Sequence, residues 1–243
     1  MQQSATFKLE HTDGRARQGR LQTAHGTVAT PCFMPVGTRA SVKTVSQQLL
    51  QQLDARVILG NTYHLILRPG LEIIEAAGGL HSFMGWDRPV LTDSGGYQVF
   101  SLAERRRLTD DGVQFSSHID GAPMFLGPVE AMHAQRVLGS DIAMTFDECP
   151  PWPCGEDEMR TSVERTLRWS RTCREQERAP GQLVFGIVQG GAWAELRRRS
   201  AAAMVDLDFD GYAIGGVAVG EPEAVMYECI DVCTPELPTG KPR

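Results

Sequence analysis

Six short apolar runs, each followed closely by a polar residue or glycines, constrain this 243-residue chain more than any other feature. They cover residues 31–36, 56–60, 89–92, 141–146, 183–188 and 212–217. Most are continuous rather than alternating in polarity, as expected of strands buried on both faces of a parallel sheet. Helical stretches fill many of the gaps. Pro128 to Leu138 opens with a proline suited to a first turn and has Gly139 placed to stop it. Residues 156–178 set Met159, Val163, Leu167 and Ser170 on one face, with Glu156–Arg160 and Glu164–Arg168 spaced as i,i+4 ion pairs. Strand–helix alternation of this kind implies a parallel α/β fold. Asn61, Asp93, Asp147 and Gln189 each fall just beyond a run, and Gly215-Gly216 lies late in the sixth. A (β/α) barrel builds its active site on the rim formed by strand C-terminal ends. One polar residue there reads equally well as a helix cap; four converging are better explained by a pocket.

Composition narrows the class. Hydrophobic residues make up 42% and charged residues 22%, the balance of a globular protein with a core. No apolar run approaches the roughly 20 residues of a membrane span. The first residues lack a signal-type apolar stretch, so a cytoplasmic, non-membrane protein is expected. The net charge of −6 argues against an indiscriminate nucleic-acid binder. The basic runs Arg105-Arg106-Arg107 and Arg197-Arg198-Arg199 read as solvated helix faces or loops rather than phosphate clamps. Six cysteines, Cys32, Cys149, Cys154, Cys173, Cys229 and Cys233, include no Cys-x-x-Cys pair, so free thiols and no metal site are expected. Residues 112–126 form an insertion whose Asp120-Gly121 marks a hairpin turn between two strand-like arms.

The chemistry concentrates at Asp93-Ser94-Gly95-Gly96-Tyr97-Gln98. A carboxylate followed by Ser-Gly-Gly lets backbone amides approach a ligand closely, and Asp93 fits a general base in a dry site. Asp147, in Phe146-Asp147-Glu148-Cys149, suits a guanine-like edge, where one carboxylate accepts from a ring N–H and an amino group side by side. Gln189 and a backbone N–H near Gly216 complement the base oxygen, and Tyr97 offers a stacking face. By residue type alone, a sugar or an amine fits almost as well. Neither Gly-x-Gly-x-x-Gly nor a complete P-loop occurs, which argues against nicotinamide and ATP chemistry.

With Phe33-Met34-Pro35-Val36-Gly37-Thr38, Gly60-Asn61-Thr62-Tyr63-His64-Leu65, Gly186-Ile187-Val188-Gln189-Gly190 and Gly215-Gly216-Val217-Ala218-Val219-Gly220-Glu221, these two segments make six in order. On them the chain resembles the bacterial tRNA-guanine transglycosylases (queuine tRNA-ribosyltransferases) over essentially its whole length. The resemblance implies a (β/α)8 TIM barrel. It also implies exchange of guanine at the tRNA wobble position for a 7-deazaguanine, the 7-aminomethyl precursor of queuosine in bacteria. Asp93 is then the acid/base group. Asp147, Gln189 and Gly216 bind the base, Tyr97 stacks on it, Ser94, Gly95 and Gly96 line the pocket, and Gln98 and Cys149 are further candidates at its margin. The partners implied are tRNA, through its anticodon loop, and a guanine or 7-deazaguanine base, with a homodimer or a full-length homologue as protein partner.

The resemblance also sets an expectation about extent. The family's covalent nucleophile is an aspartate ending the eighth barrel strand, and a zinc site of three cysteines and a histidine follows it. Only about six of eight β/α units are legible here, so 1–243 reads as a single incomplete barrel domain without nucleophile or zinc ligands. No cofactor is expected on this chain, and activity of 1–243 alone is not expected. The alternatives are a non-catalytic partner of a full-length homologue and a barrel hydrolase acting on nucleosides.

Overall fold

The computed structural model describes residues 6–102 and 106–243. It opens with an antiparallel three-stranded sheet, β1 (Phe7–Asp13), β2 (Ala16–Thr23) and β3 (Gly26–Thr30), that the apolar runs do not announce. These strands are rich in polar residues, and β2 alternates exposed and buried positions, the mark of a sheet with one wet face. Its buried residues, Phe7, Leu21 and Val28, close one end of the larger sheet.

That larger sheet is parallel and five-stranded. After α1 (Gln47–Gln52) come β4 (Ile58–Gly60), α2 (Thr62–Leu67), α3 (Leu71–Ala76), α4 (Leu80–Met84), β5 (Val90–Thr92) and α5 (Gly96–Leu102). An antiparallel insertion, β6 (Arg106–Leu108), β7 (Val113–Ser116) and β8 (Pro123–Leu126), precedes α6 (Pro128–Leu138) and β9 (Ile142–Met144). Then follow α7 (Glu156–Glu175), β10 (Leu183–Val188), α8 (Ala194–Asp206), β11 (Gly211–Ile214) and α9 (Glu223–Cys233). Spatial order matches chain order, β4-β5-β9-β10-β11, as along an arc of a (β/α) barrel. The expected strand at 31–36 contributes only a single bridge, Val36 to Leu59, beside β4. Pro31 and Pro35 leave that segment short of ladder donors.

The continuous runs follow from burial on both sides. On β10, Phe185 and Ile187 face the interior with Leu91, Ile142, Met144 and Val57. Val184 and Val188 face the helices, against Val163, Leu167, Leu196 and Met204. α7 buries Met159, Val163, Leu167 and Ser170, the face the spacing predicts, and Gly139 ends α6 in the left-handed conformation at φ 67°.

The basic runs differ from expectation. Arg105 lies outside the described residues, and Arg106 and Arg107 sit on strand β6 rather than on a helix or loop. Arg198 and Arg199 are solvated and paired with Glu195 and Glu164, whereas Arg197 is fully buried. Glu164 therefore bridges to α8, and Arg168 turns to Asp110 at 2.8 Å instead of forming the i,i+4 pair. No helix among the described residues is long and apolar enough to cross a membrane.

Candidate active site

Five parallel strands release the chain at one rim, and there the sheet interior opens into a cavity of about 700 Å³. Asp93 follows β5, Asp147 lies just past β9, Gln189 follows β10, and Gly215-Gly216 follow β11. All of these line the cavity, together with Ser94, Gly95, Tyr97, Gln98 and Cys149. Gly96 lies beneath: a Cβ on it would meet the Asp147 carbonyl oxygen at 2.5 Å, so only glycine lets α5 start so close to β9. Tyr97 is half exposed, its ring at the cavity margin. Below the polar rim the walls are apolar, with Leu91, Met144, Phe185 and Ile187 from the sheet and Leu21 and Val28 from the N-terminal strands.

Asp93 is held from three sides. Its Oδ1 accepts from the Thr62 backbone N–H at 2.8 Å, and its Oδ2 accepts from Gln98 Nε2 at 2.7 Å and from Asn61 Nδ2. Thr62 Oγ1 donates to the Asp93 carbonyl at 2.6 Å, tying the start of α2 to the end of β5. Burial raises the Asp93 pKa above the ordinary carboxylate value, against these hydrogen bonds that favour the anion. A raised pKa suits a group that takes up and returns a proton.

Asp147 is buried. Its Oδ1 accepts from Ser94 Oγ at 3.2 Å and its Oδ2 from Gln189 Nε2 at 2.7 Å. Burial pushes its pKa up to about 6, with the nearby Asp93 charge adding to the effect, so it remains mostly ionised at pH 7. The Oε1 of Gln189 is buried and has no hydrogen-bond partner. Gly216 has φ +60°, and a Cβ there would meet this oxygen at 2.4 Å. Cys149 is a buried thiol whose pKa burial raises to about 12, with the Asp147 charge assisting. It packs as a neutral wall, unsuited to nucleophilic attack.

Arg197 is the component that sequence reasoning misses. From α8 its Nε donates to Gly191 O at 2.8 Å, Nη1 to Gly215 O at 2.6 Å and to Val188 O at 3.4 Å, and Nη2 to Gly216 O at 3.1 Å. One guanidinium thus clasps the ends of β10 and β11 and fixes the Gly215-Gly216 turn. Within an Arg-Arg-Arg run, the signal that separates it is α8's helical period, which turns Leu196, Arg197, Ser200, Ala201 and Met204 inward. Asn61, which the sequence places at the rim, and Thr62 hold Asp93 in place.

The six cysteines are free, and among the described residues no three of them meet with a histidine. The donor set of the family's zinc site is thus not assembled by these residues, and no step here passes through that metal. The one group among the described residues able to hold a metal ion is His25, His81 and Asp141, at the opposite end of the sheet.

Sequence comparisons find relatives along nearly the whole chain. The family model described as queuine tRNA-ribosyltransferase matches residues 12–243. A protein named queuine tRNA-ribosyltransferase from Halalkalibacterium halodurans is 57% identical over 99% of this chain and 64% of its own length. One of the same name from Pelotomaculum thermopropionicum is 56% identical over 98% and 64%. Another, from Lysinibacillus sphaericus, is 53% identical over the whole chain and 64% of its own length. The chain spans about 64% of the length of these curated relatives. With its parallel sheet, its polar rim and a match over nearly all of its residues, the chain belongs to the queuine tRNA-ribosyltransferase family.

Proposed function

We propose that the cavity binds a guanine-like base and serves the exchange of guanine at the tRNA wobble position for a 7-deazaguanine, 7-aminomethyl-7-deazaguanine. The observation that carries this is the hydrogen-bonded trio Ser94, Asp147 and Gln189 beside the separately held Asp93. The Asp147 carboxylate accepts from the ring N1–H and the 2-amino group. Gln189 Nε2 and the Gly216 N–H donate to O6. Base entry therefore exchanges the Gln189–Asp147 bond for two bonds to the ligand. Tyr97 covers the ring face from the margin, with Gln98 and Cys149 bordering the site.

In the exchange, the bond from the wobble ribose C1′ to guanine N9 breaks, and Asp93 returns a proton to the departing base. The incoming 7-deazaguanine gives its N9 proton to Asp93 as its own bond to C1′ forms. Asp93 and Asp147, the two carboxylates that line the cavity among the described residues, are taken up with the proton and the base edge. A further carboxylate must therefore bond to C1′ as guanine leaves and depart as the incoming base bonds there. That is the role the family resemblance gives to an aspartate ending an eighth strand. The target base already lies in a loop, so extruding it costs little. The partners on this reading are a tRNA anticodon loop and the free base, in the cytoplasm.

Calorimetric titration of residues 1–243 with guanine and with 7-aminomethyl-7-deazaguanine tests the pocket. Saturable 1:1 binding, lost in Asp147→Ala, is expected; absence of binding to either base overturns the reading. Labelled-guanine incorporation into tRNA by the same chain is expected to be at background, because among the described residues no carboxylate besides Asp93 and Asp147 lines the cavity. Release of base from free nucleosides would favour a hydrolase instead.

A further inference from the structure

At the end of the sheet away from the cavity, Asp141 precedes β9 with its side chain fully shielded from solvent. Each of its oxygens already accepts a backbone hydrogen bond at 2.9 Å, Oδ1 from the His25 N–H and Oδ2 from the Val90 N–H. Two imidazoles then converge on the same carboxylate. His25 Nδ1 lies 3.0 Å from Oδ1 and His81 Nε2 lies 3.0 Å from Oδ2. The two rings stack with centroids 3.6 Å apart and planes 16° from parallel. The three ligand atoms all lie within 4.8 Å of one another.

We propose that His25, His81 and Asp141 form a binding site for a divalent transition metal ion of the zinc class, distinct from the base cavity. Two imidazole nitrogens and a carboxylate are borderline donors that suit Zn²⁺ or Co²⁺ rather than Mg²⁺ or Ca²⁺. Each histidine–carboxylate separation of 3.0 Å is what two ligand bonds of about 2.0–2.1 Å span at an angle of roughly 95°. The two imidazole nitrogens, within 4.8 Å of each other, must come to about 4 Å or less for one ion to bridge them. The backbone N–H groups of His25 and Val90 fix the carboxylate from behind, the supporting shell such sites require. The His25 side chain is 40% exposed against 13% for His81, which gives an ion a way in and leaves its remaining positions to water. The ligands come from the β2–β3 turn, α4 and the start of β9, so a bound ion cross-links three distant segments.

Titration of residues 1–243 with Co²⁺ tests this. Expected is a 1:1 complex with visible d–d absorption and no sulfur-to-cobalt charge-transfer band, displaced by Zn²⁺. His25→Gln and His81→Gln should each weaken binding about 100-fold or more. At 100 times Kd, Zn²⁺ should raise the Tm by roughly 5–10 °C in the unaltered chain and not in the variants. No binding, a sulfur band, or binding retained in both variants would overturn the proposal. Should the variants fail to fold, anomalous diffraction from Co²⁺-soaked crystals of the unaltered chain decides it: the ion lies between these three side chains or the proposal is wrong.

Discussion

On the proposed reading, function and stability oppose each other at a single residue, Asp147. Its pKa rises from 3.8 to about 6 on folding, so the folded state holds the proton more tightly than the unfolded chain. The stability it contributes is fully present below about pH 3.8 and is lost as pH rises through about 6. Asp147→Asn removes that penalty, and the Gln189 carboxamide, turned over, presents its unpartnered Oε1 to the new amide. The variant is expected to be more stable than the parent by up to about 3 kcal/mol at pH 8, the gap closing towards pH 4, as measured by urea unfolding across that range. The same variant is expected to lose base binding. In the parent, base affinity should fall about tenfold between pH 7 and pH 5 as Asp147 takes up a proton, a change that calorimetry at the two pH values would detect. Most residues of the pocket are legible in the sequence because each rim position follows an apolar run. Arg197 is not singled out, because the three arginines look alike as a string and only the helical period of α8, which sets Arg197 with Leu196, Ser200 and Ala201, separates them.

Elements, rather than residues, explain why that arginine matters. The β10–β11 ladder ends at Val188 and Ile214, and Arg197 from α8 supplies donors to the Gly215 and Gly216 carbonyls beyond it, with a longer contact to Val188 O, which already accepts from the Gly215 N–H. Lysine keeps the charge but not the planar fork. Arg197→Lys is expected to cost about 2–4 kcal/mol in stability and to weaken base binding at least tenfold, because Gly216 is no longer fixed. Thermal melts and base titration check the two effects separately. The long helices α6 and α7 are readable from periodicity because one face of each packs against apolar neighbours while the other meets solvent, and the strand β10 is readable as a continuous run because both its sides are packed. β1 to β3 escape such a reading. Their wet face fills alternate positions with arginine, glutamine and threonine, and the apolar minority is too sparse to stand out.

At the scale of the whole molecule, that inconspicuous sheet closes the interior. Phe7, Leu21 and Val28 pack with the inward residues of β5, β9 and β10, and Leu21 and Val28 form the floor of the cavity's apolar part. Val28→Asp, at a position 2% exposed, would bury an unpaired charge there. It is expected to destabilise by more than about 3 kcal/mol and to increase binding of an apolar dye, whereas Thr27→Asp on the wet face should be nearly silent. Asp141 links the two ends of the fold. It receives the first N–H of β5 and itself begins the segment that carries β9, the two strands that lead to Asp93 and Asp147. A single anchored carboxylate therefore acts as the common datum from which both acids are measured. Shortening either strand by one residue at its beginning would re-aim its acid relative to the other, leaving a pocket with every group present and none in register.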